Sequence, residues 1–494
     1  MLNRFFKLDQ HQTTVGRELQ AGLTTFAAMA YILAVNPSIL ANTGMDKPAL
    51  VTVTALTAAI ATTIMALLTN YPIALAPGMG INAFFTFTIC GARGVPWQEA
   101  LGMVFVNGVI FLALSVTGVR EKIIAAIPHH LKIAVTCGIG LFIAFIGLKN
   151  GGVIVANSAT FVSHGDFTAG PVWLCLAGIA LTAILVARRV PGAIVLSIGF
   201  ITLLGLIVPV GGKMVTQLPE TIFAAPASPA PVFLKLTFQF LTSSNAIFMA
   251  LPLILTLLLV DMFDNIGTLI GVTKRAGFLR ADGTLPKAGR ALIADSIATI
   301  LSALCGTSTV VSYIESASGV EAGGRTGLTT LTTAALMLLA LFLTPLILIV
   351  PASATAPALV IVGVFMMQSI VEIDMKDFKI AAPAVLTILA IPLTFSIAEG
   401  IGLGLICAVL LAFAAADTEK FNVSMFISRG LFVVSCFVYT SGEHFWFVQI
   451  PAGLCLIAAL VWIWRQPLPG LTFLSEFFAI VFAFEFFKIW PFRA

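Results

Sequence analysis

The sequence predicts an all-α membrane protein of fourteen transmembrane segments in a 7+7 inverted repeat, with the third and tenth segments broken and carrying short strands. Three observations lead there. Hydrophobic residues make up 59% of the 494-residue chain and charged residues only 10%, against about 45–50% and about 25% in soluble domains. Apolar stretches of the length needed to span hydrocarbon, about 20 residues, recur along the whole chain. The scarce basic residues alternate in sidedness from one connecting loop to the next.

Taken in order, spans are expected at 20–41, 49–69, 98–118, 130–149, 171–187 and 190–210. A second set is expected at 245–272, 290–305, 328–350, 353–372, 378–398 and 399–416. Segments 72–90 and 307–322 are apolar but interrupted by Gly, Pro and polar residues, and they complete the fourteen. The N-terminal stretch MLNRFFKLDQHQTTVGREL (1–19) lacks the basic start, apolar core and small cleavage site of a signal peptide, and reads as a cytoplasmic leader. Basic residues favour cytoplasmic loops. With the N-terminus inside, 17 of them, from Arg4 to Lys420, fall inside, and five (Lys47, Arg93, Lys149, Lys213 and Lys235) fall outside. The expected organisation is a leader at 1–19, a first repeat at 20–210, an extracellular connector at 211–244, a second repeat at 245–416 and a hydrophobic C-terminal extension at 417–494.

Several function classes are excluded on composition. A net charge of +4, with no Lys/Arg run interleaved with aromatics, carries no nucleic-acid signal. The seven Cys lie singly without a CxxC, which removes a disulfide scaffold and leaves them as small apolar packing residues. Nothing in the pattern calls for a metal or other cofactor.

The broken segments are the informative part. Residues 71–88 read YPIALAPGMGINAFFTFT, and Pro77, Gly78 and Gly80 interrupt the helix at mid-membrane depth. Residues 306–320 read GTSTVVSYIESASGV, Gly-bounded, β-branched and carrying a carboxylate. One is third in its group of seven and the other is third in the second group. VPGAIVLSIGFITLLGLIVPV (190–210) likewise echoes IAEGIGLGLICAVLLAFAA (397–415). Seven is odd, so the repeats must be inverted. Paired discontinuous segments at matching positions point to a ligand site at the midplane, with half-helix N–H groups available there. Two re-entrant loops without a ligand are the alternative.

Most acidic residues lie in loops. The exceptions are Asp261 and Asp264 in LPLILTLLLVDMFDNIGTLIG, Asp295 in ALIADSIATI and Glu315 in the second broken segment. Ionisable groups inside spans are costly and mark a pathway or site. Asp261 and Asp264 are three apart and share a helix face, so one of them, or Asp295, is a candidate proton carrier. For Asp295 a cap or backbone partner is an equal alternative, and for Asp261 a structural role is. Asp264 and Glu315 are expected to converge on a ligand and accept from its N–H groups. Phe84 offers an aromatic face for a planar ligand, Asn36 and Asn82 offer amides, and Ser312 and Ser316 flank Glu315. The GGRTG at 323–327 reads either as an anion loop or as a helix break anchored by Arg325.

The motifs AGLTTFAAMAYILAVNP (21–37), LAPGMGINAFF (75–85), VDMFDNIGTLIGV (260–272) and YIESASGVEAGGRTGLT (313–329) resemble the AzgA-like branch of the nucleobase–ascorbate transporter family, over about residues 5–416. The resemblance implies core and gate domains, an elevator-like motion, and proton-coupled purine uptake across the inner membrane of a bacterium by a protein that often forms homodimers through the gate. It implies Asp264 and Glu315 as substrate-binding carboxylates, Phe84 with backbone from Ala83 as the third-segment contact, and Asp295 as the ninth-span Asp. Asn82 and Ser316 join the expected substrate contacts, and Asn36, Thr268 and Ser312 the supporting residues. Proton coupling is expected from Asp261, Asp264 and Asp295. The expected activity is import of adenine, guanine or hypoxanthine by proton symport, without enzymatic activity. The rivals are an anion transporter or channel of the same fold and, more distantly, an intramembrane prenyltransferase suggested by Asp261-x-x-Asp264. The stretch after 416 is not accounted for by the family pattern.

Overall fold

The computed structural model describes residues 2–117, 129–278 and 285–414. The expected C-terminal extension at 417–494 lies outside the described residues. The chain is mostly helical, and eight of the described helices are long and apolar enough to cross a membrane. The described residues divide into two compact units, one falling within 1–125 and 139–368, the other within 126–138 and 369–414.

In the first unit the leader forms a short helix, α1 (Leu2–Phe6). It is packed rather than solvated: Phe6 and Leu8 are buried against Leu328, and the Asn70 amide donates to Phe6 O at 2.9 Å. Helix α2 (Val15–Met29) starts at Thr14, whose hydroxyl accepts from Arg17 N at 3.3 Å. A turn at Ala30–Tyr31, with both residues in right-handed helical backbone, separates it from α3 (Ile32–Leu40), and the two run on as one apolar span, Val15–Thr43, which covers the expected 20–41. Helix α4 (Lys47–Thr69) is capped by Asp46, which accepts from Ala49 N at 2.8 Å, and ends at Asn70 in the left-handed region.

Strand β1 (Leu75–Pro77) then runs into α5 (Met79–Ala83) and a π-helical stretch, Phe84–Ala92. Helix α6 (Trp97–Thr117) follows, and then α7 (His129–Asn150), of which the part from Ile139 onward belongs to this unit. A β-hairpin not anticipated from the apolar pattern, β2 (Ile154–Asn157) with β3 (Phe161–His164), connects to α8 (Gly170–Ala187). Helix α9 (Ala193–Leu204) covers only part of the expected 190–210 span. Beyond Gly205 the chain turns into a small ribbon, β4 (Pro209–Val210) with β5 (Lys213–Met214).

The second half opens on α10 (Ser244–Arg275), a 32-residue helix, followed by α11 (Ala288–Cys305). Strand β6 (Val310–Ser312) leads into α12 (Ser316–Glu321) and α13 (Gly327–Ala340). After α14 (Thr344–Leu348), α15 (Ala352–Met367) completes the unit with a 3-10 turn that begins at Gln368.

The two broken segments meet each other. Strands β1 and β6 pair antiparallel in the register Leu75↔Ser312, Ala76↔Val311 and Pro77↔Val310, and both are fully buried. Pro77 and Gly78 halt the first helix, and the β-branched run Thr309-Val310-Val311 favours extended backbone in the second. Irregular backbone at membrane depth needs protein partners, and here it has them. Gly78 N donates to Thr309 O at 3.0 Å and Tyr313 N to Ala74 O at 2.9 Å. The Thr62 hydroxyl donates to Leu75 O and accepts from Leu75 N, each at 2.9 Å, and Tyr313 OH donates to Pro77 O at 2.6 Å.

Helix α2 approaches α12 and α13 through glycines. A Cβ on Gly319 would meet Thr25 Oγ1, and Ala21 O at 2.8 Å; one on Gly22 would meet Thr329 O at 2.5 Å. Gly319→Val should therefore lower the amount of folded protein in the membrane, overpacking costing about 1–3 kcal/mol. Gly16→Ala, where a Cβ meets nothing within 4 Å, should leave the amount unchanged. Fluorescence-detected size exclusion after detergent extraction reads both.

In the second unit α16 (Phe378–Thr394) is capped by Asp377, which accepts from Lys379 N at 2.9 Å. It packs on α17 (Ile397–Ala414), where Gly404 lies against Thr387 and, at 3.0 Å for an added Cβ, Pro383 O.

Candidate functional site

Asp264 lies on α10, which packs against both β6 and α12. Glu315 stands at the start of α12. Both side chains are half-buried, whereas Asp261 and Asp295 are fully enclosed. Asp264 is within Coulombic reach of Glu315, and of the buried tyrosines Tyr31 and Tyr313. Tyr31, at the turn between α2 and α3, donates its hydroxyl proton to Glu315 Oε1 at 2.5 Å. Helix α5 packs on α10 and ends at Ala83. Phe84, fully buried, opens the π-helical stretch, a backbone form that concentrates at functional sites.

The four carboxylates thus sort into two pairs across elements. Asp261 and Asp264 share a helix, but Asp261 belongs with Asp295. The Asn265 amide donates to Asp261 Oδ1 at 3.2 Å and also to Asp295 Oδ2. Asn107 of α6 donates to Asp261 Oδ2 at 3.4 Å. The Asn265 carbonyl accepts from Ser312 N at 3.0 Å, which ties this pair to β6. Asp295 is a partner of a side-chain amide rather than a helix cap.

A second buried network holds the broken segments in place. Asn36 donates to Thr54 Oγ1 at 2.7 Å and to Thr307 Oγ1 at 3.1 Å, and accepts from Asn82 Nδ2 at 2.6 Å. Asn82 Oδ1 in turn accepts from Ser308 Oγ. Both amides are engaged within the protein at each end. Ser316 Oγ accepts from Ala74 N at 3.0 Å, joining α12 to the approach to β1. Ser312 Oγ is buried and has no hydrogen-bond partner among the described residues. Thr268 is buried one turn beyond Asp264 on α10.

The expected residues therefore fall on converging elements: Asp264 and Glu315 lie on elements that pack together, within Coulombic reach of each other, Asp261 and Asp295 are bridged by Asn265, and Asn36, Asn82, Ser312 and Ser316 lie along the strand crossing. Sequence reasoning missed Tyr31, Tyr313, Asn107 and Asn265. Signals existed for them. The chain has only four Tyr, Tyr313 is two residues from Glu315, and Asn107 interrupts an otherwise apolar span.

The GGRTG stretch is an anion loop whose anion is internal. Buried Glu18 accepts from Arg325 N at 2.9 Å, Thr326 N at 3.1 Å, Thr326 Oγ1 at 2.7 Å, Thr329 N at 3.3 Å and Thr329 Oγ1 at 2.7 Å. Arg325 closes the end of α12 by donating to Val320 O and Gly324 O, each at 2.7 Å. Among the described residues no group of three or more His, Cys, Asp or Glu side chains is placed to hold a metal ion.

Helices long and apolar enough to span a membrane, two broken segments crossing as paired strands, and buried or half-buried carboxylates on the elements around that crossing are the features of a membrane transporter. The chain belongs to the permease family Xan_ur_permease, on its AzgA-like side; the family's sequence model matches residues 16–403. It is 42% identical to the guanine/hypoxanthine permease PbuG of Bacillus subtilis, covering 88% of this chain and 98% of that protein. It is 40% identical to the adenine permease AdeP of Escherichia coli, covering 88% of this chain and 95% of that one. A putative permease of Methanocaldococcus jannaschii is 44% identical over 89% of this chain and 99% of its own. Among solved structures, the transmembrane domain of the cyanobacterial bicarbonate transporter BicA aligns with a TM-score of 0.56 at 16% identity, covering 80% of this chain and 97% of that one. That likeness concerns the fold. The protein is a multi-pass membrane permease of the purine nucleobase permease family, a transporter and not an enzyme, and the prenyltransferase reading is set aside.

Proposed function

We propose that this permease imports purine nucleobases (adenine, guanine or hypoxanthine) by proton symport. The observation that carries the reading is the half-buried Asp264–Glu315 pair at the crossing of the two broken segments, in a chain about 40% identical to proteins named as purine permeases. Carboxylates accept hydrogen bonds only, so the pair suits a neutral ring with N–H donors, stacked on the Phe84 side of the site. An anion would meet two carboxyl groups there and no matching cation is among the residues assigned to the site, which argues against the anion-transport reading.

The inner pair is the proton carrier on this reading. Asp261 and Asp295 are sealed from water and bridged by Asn265, and two neighbouring carboxylates share a proton at lower cost than they hold two bare charges. The bridge reaches β6 through Ser312 N, so a proton gained or lost there acts on the strand that leads to Glu315. Asp264 is the alternative carrier within the site itself.

The architecture that goes with this is fourteen segments in two inverted repeats: eight long apolar helices, five shorter ones and the broken 307–322 segment. A core would move against a gate in elevator fashion, with homodimers forming through the gate. The protein would sit in a bacterial inner membrane with its N-terminus in the cytoplasm. The test is uptake of labelled adenine, hypoxanthine, guanine and uracil by cells lacking their own purine permeases. Purines should accumulate, uracil should compete poorly, and a protonophore should abolish accumulation. Uptake that ignores the protonophore refutes the coupling, and the absence of purine uptake refutes the substrate.

A further inference from the structure

We infer that Tyr31 is a positioning residue that fixes how Glu315 meets the ligand: it assigns one carboxylate oxygen to the protein, leaves the other to the bound ring, and thereby sets which ring nitrogens must carry hydrogen. This rests on the reading of the Asp264–Glu315 pair as a purine site.

Tyr31 sits at the turn inside the first span, after α2 ends at Met29 and before α3 begins at Ile32, and its side chain is buried. A tyrosine hydroxyl has one proton to give. Here it goes to Glu315 Oε1 at 2.5 Å, across 284 residues of sequence. Hydrogen bonds to an ionised acceptor are short and among the stronger ones in proteins, so the carboxylate cannot exchange its oxygens without breaking this one. The other buried tyrosine nearby does not compete, because Tyr313 gives its proton to Pro77 O at 2.6 Å. The Glu315 carboxyl also accepts from its own backbone N–H, a bond that fixes the group further; the acceptor capacity left on Glu315 Oε2, with Asp264 within Coulombic reach, is what this inference gives to the ligand.

A ligand therefore meets two acceptors whose relative placement is set by the protein. A planar purine with two N–H donors on its edge satisfies both. Methylation of either nitrogen leaves an enclosed acceptor without a partner, and sites built on hydrogen bonding reject such analogues steeply. Tyr31 touches no ligand atom in this account. It acts through Glu315, and without its hydroxyl the carboxylate is free to rotate and to accept from a wider set of rings.

Two measurements test this. Infrared difference spectra of the purified, ligand-free protein should show the Glu315 carboxyl band, assigned with Glu315→Gln, displaced in Tyr31→Phe; an unmoved band overturns the inference. Competition of uptake by the parent purine and its N-methylated analogues gives a discrimination ratio. In Tyr31→Phe that ratio should fall about tenfold, mainly through KM, with maximal rate per molecule within about twofold, the size of one charge-assisted hydrogen bond. In a Glu315→Gln background the same substitution should add less than about twofold, the signature of two residues acting as one unit. An unchanged ratio, or a loss of maximal rate with the ratio intact, overturns the inference. Tyr31→His, which keeps a ring donor, is the second variant should the first not reach the membrane, and it should retain part of the discrimination. If the wild-type protein takes up no purine, the substrate reading fails, while the infrared band still decides whether Tyr31 holds Glu315.

Discussion

Glu315→Ala should reduce purine uptake at low substrate concentration about 100-fold or more, with the protein still present in the membrane in near-normal amount. On the proposed reading the substitution removes the acceptor for one ligand N–H, and it leaves the Tyr31 hydroxyl without the bond it now makes at 2.5 Å. A hydrogen bond to a charged group contributes about 1.5–3 kcal/mol and an unpaired buried partner costs about 1–3 kcal/mol more. The sum corresponds to about two to four powers of ten in affinity. The fold does not depend on this carboxylate to the same degree, because Tyr313, Ser316 and the β1–β6 ladder hold the segment through other atoms. Initial uptake rates, normalised to membrane abundance, measure the effect. Glu315→Gln retains an oxygen acceptor and should fall between the two. Wild-type uptake by Glu315→Ala would remove Glu315 from the site, and with it the case for a carboxylate pair.

The largest effect on stability is expected at Glu18, far from the ligand. Its side chain is fully buried and accepts from five donors at 2.7–3.3 Å around the start of α13. A carboxylate at a helix N-terminus also opposes the positive end of the helix dipole. Glu18→Ala leaves all five donors without this acceptor, and a buried polar group left unpaired costs about 1–3 kcal/mol. The variant should be recovered in much lower amount, and the surviving fraction should unfold at lower temperature in detergent. Glu18→Gln should be milder. With its carbonyl in the Oε2 position it keeps four of the five bonds, and only the Arg325 N–H then faces an amide nitrogen. A Glu18→Ala protein with wild-type thermal stability would mean that water replaces the carboxylate in the loop.

The helical membrane class was legible because it depends on composition and on runs of about 20 residues, both local properties of a chain. The breaks at Pro77–Gly78 and Gly306–Ser312 were legible for a related reason: proline, glycine and β-branched residues act on their own backbone. The four carboxylates within the apolar stretches were also visible, since an ionisable residue in an apolar run stands out without any knowledge of its neighbours. Boundaries were less legible. The 190–210 stretch is apolar throughout, yet only Ala193–Leu204 is helix before the turn into β4 and β5, and nothing in hydropathy separates a helix from an apolar ribbon. The turn at Ala30–Tyr31 inside the first span was also not legible, because both residues keep helical backbone there.

What the sequence by itself determined is a many-spanned membrane protein with two matching interruptions and four acidic residues where acid is costly. What only the tertiary structure decided is who meets whom. Asp261 was grouped by spacing with Asp264 but pairs through Asn265 with Asp295, 30 residues from that asparagine. Glu315 is held by a tyrosine 284 residues away, and the GGRTG loop holds Glu18 from 307 residues away. Periodicity reaches only a turn or two along one element. A partner on another helix is chosen by how the elements pack, and packing is a property of the folded whole.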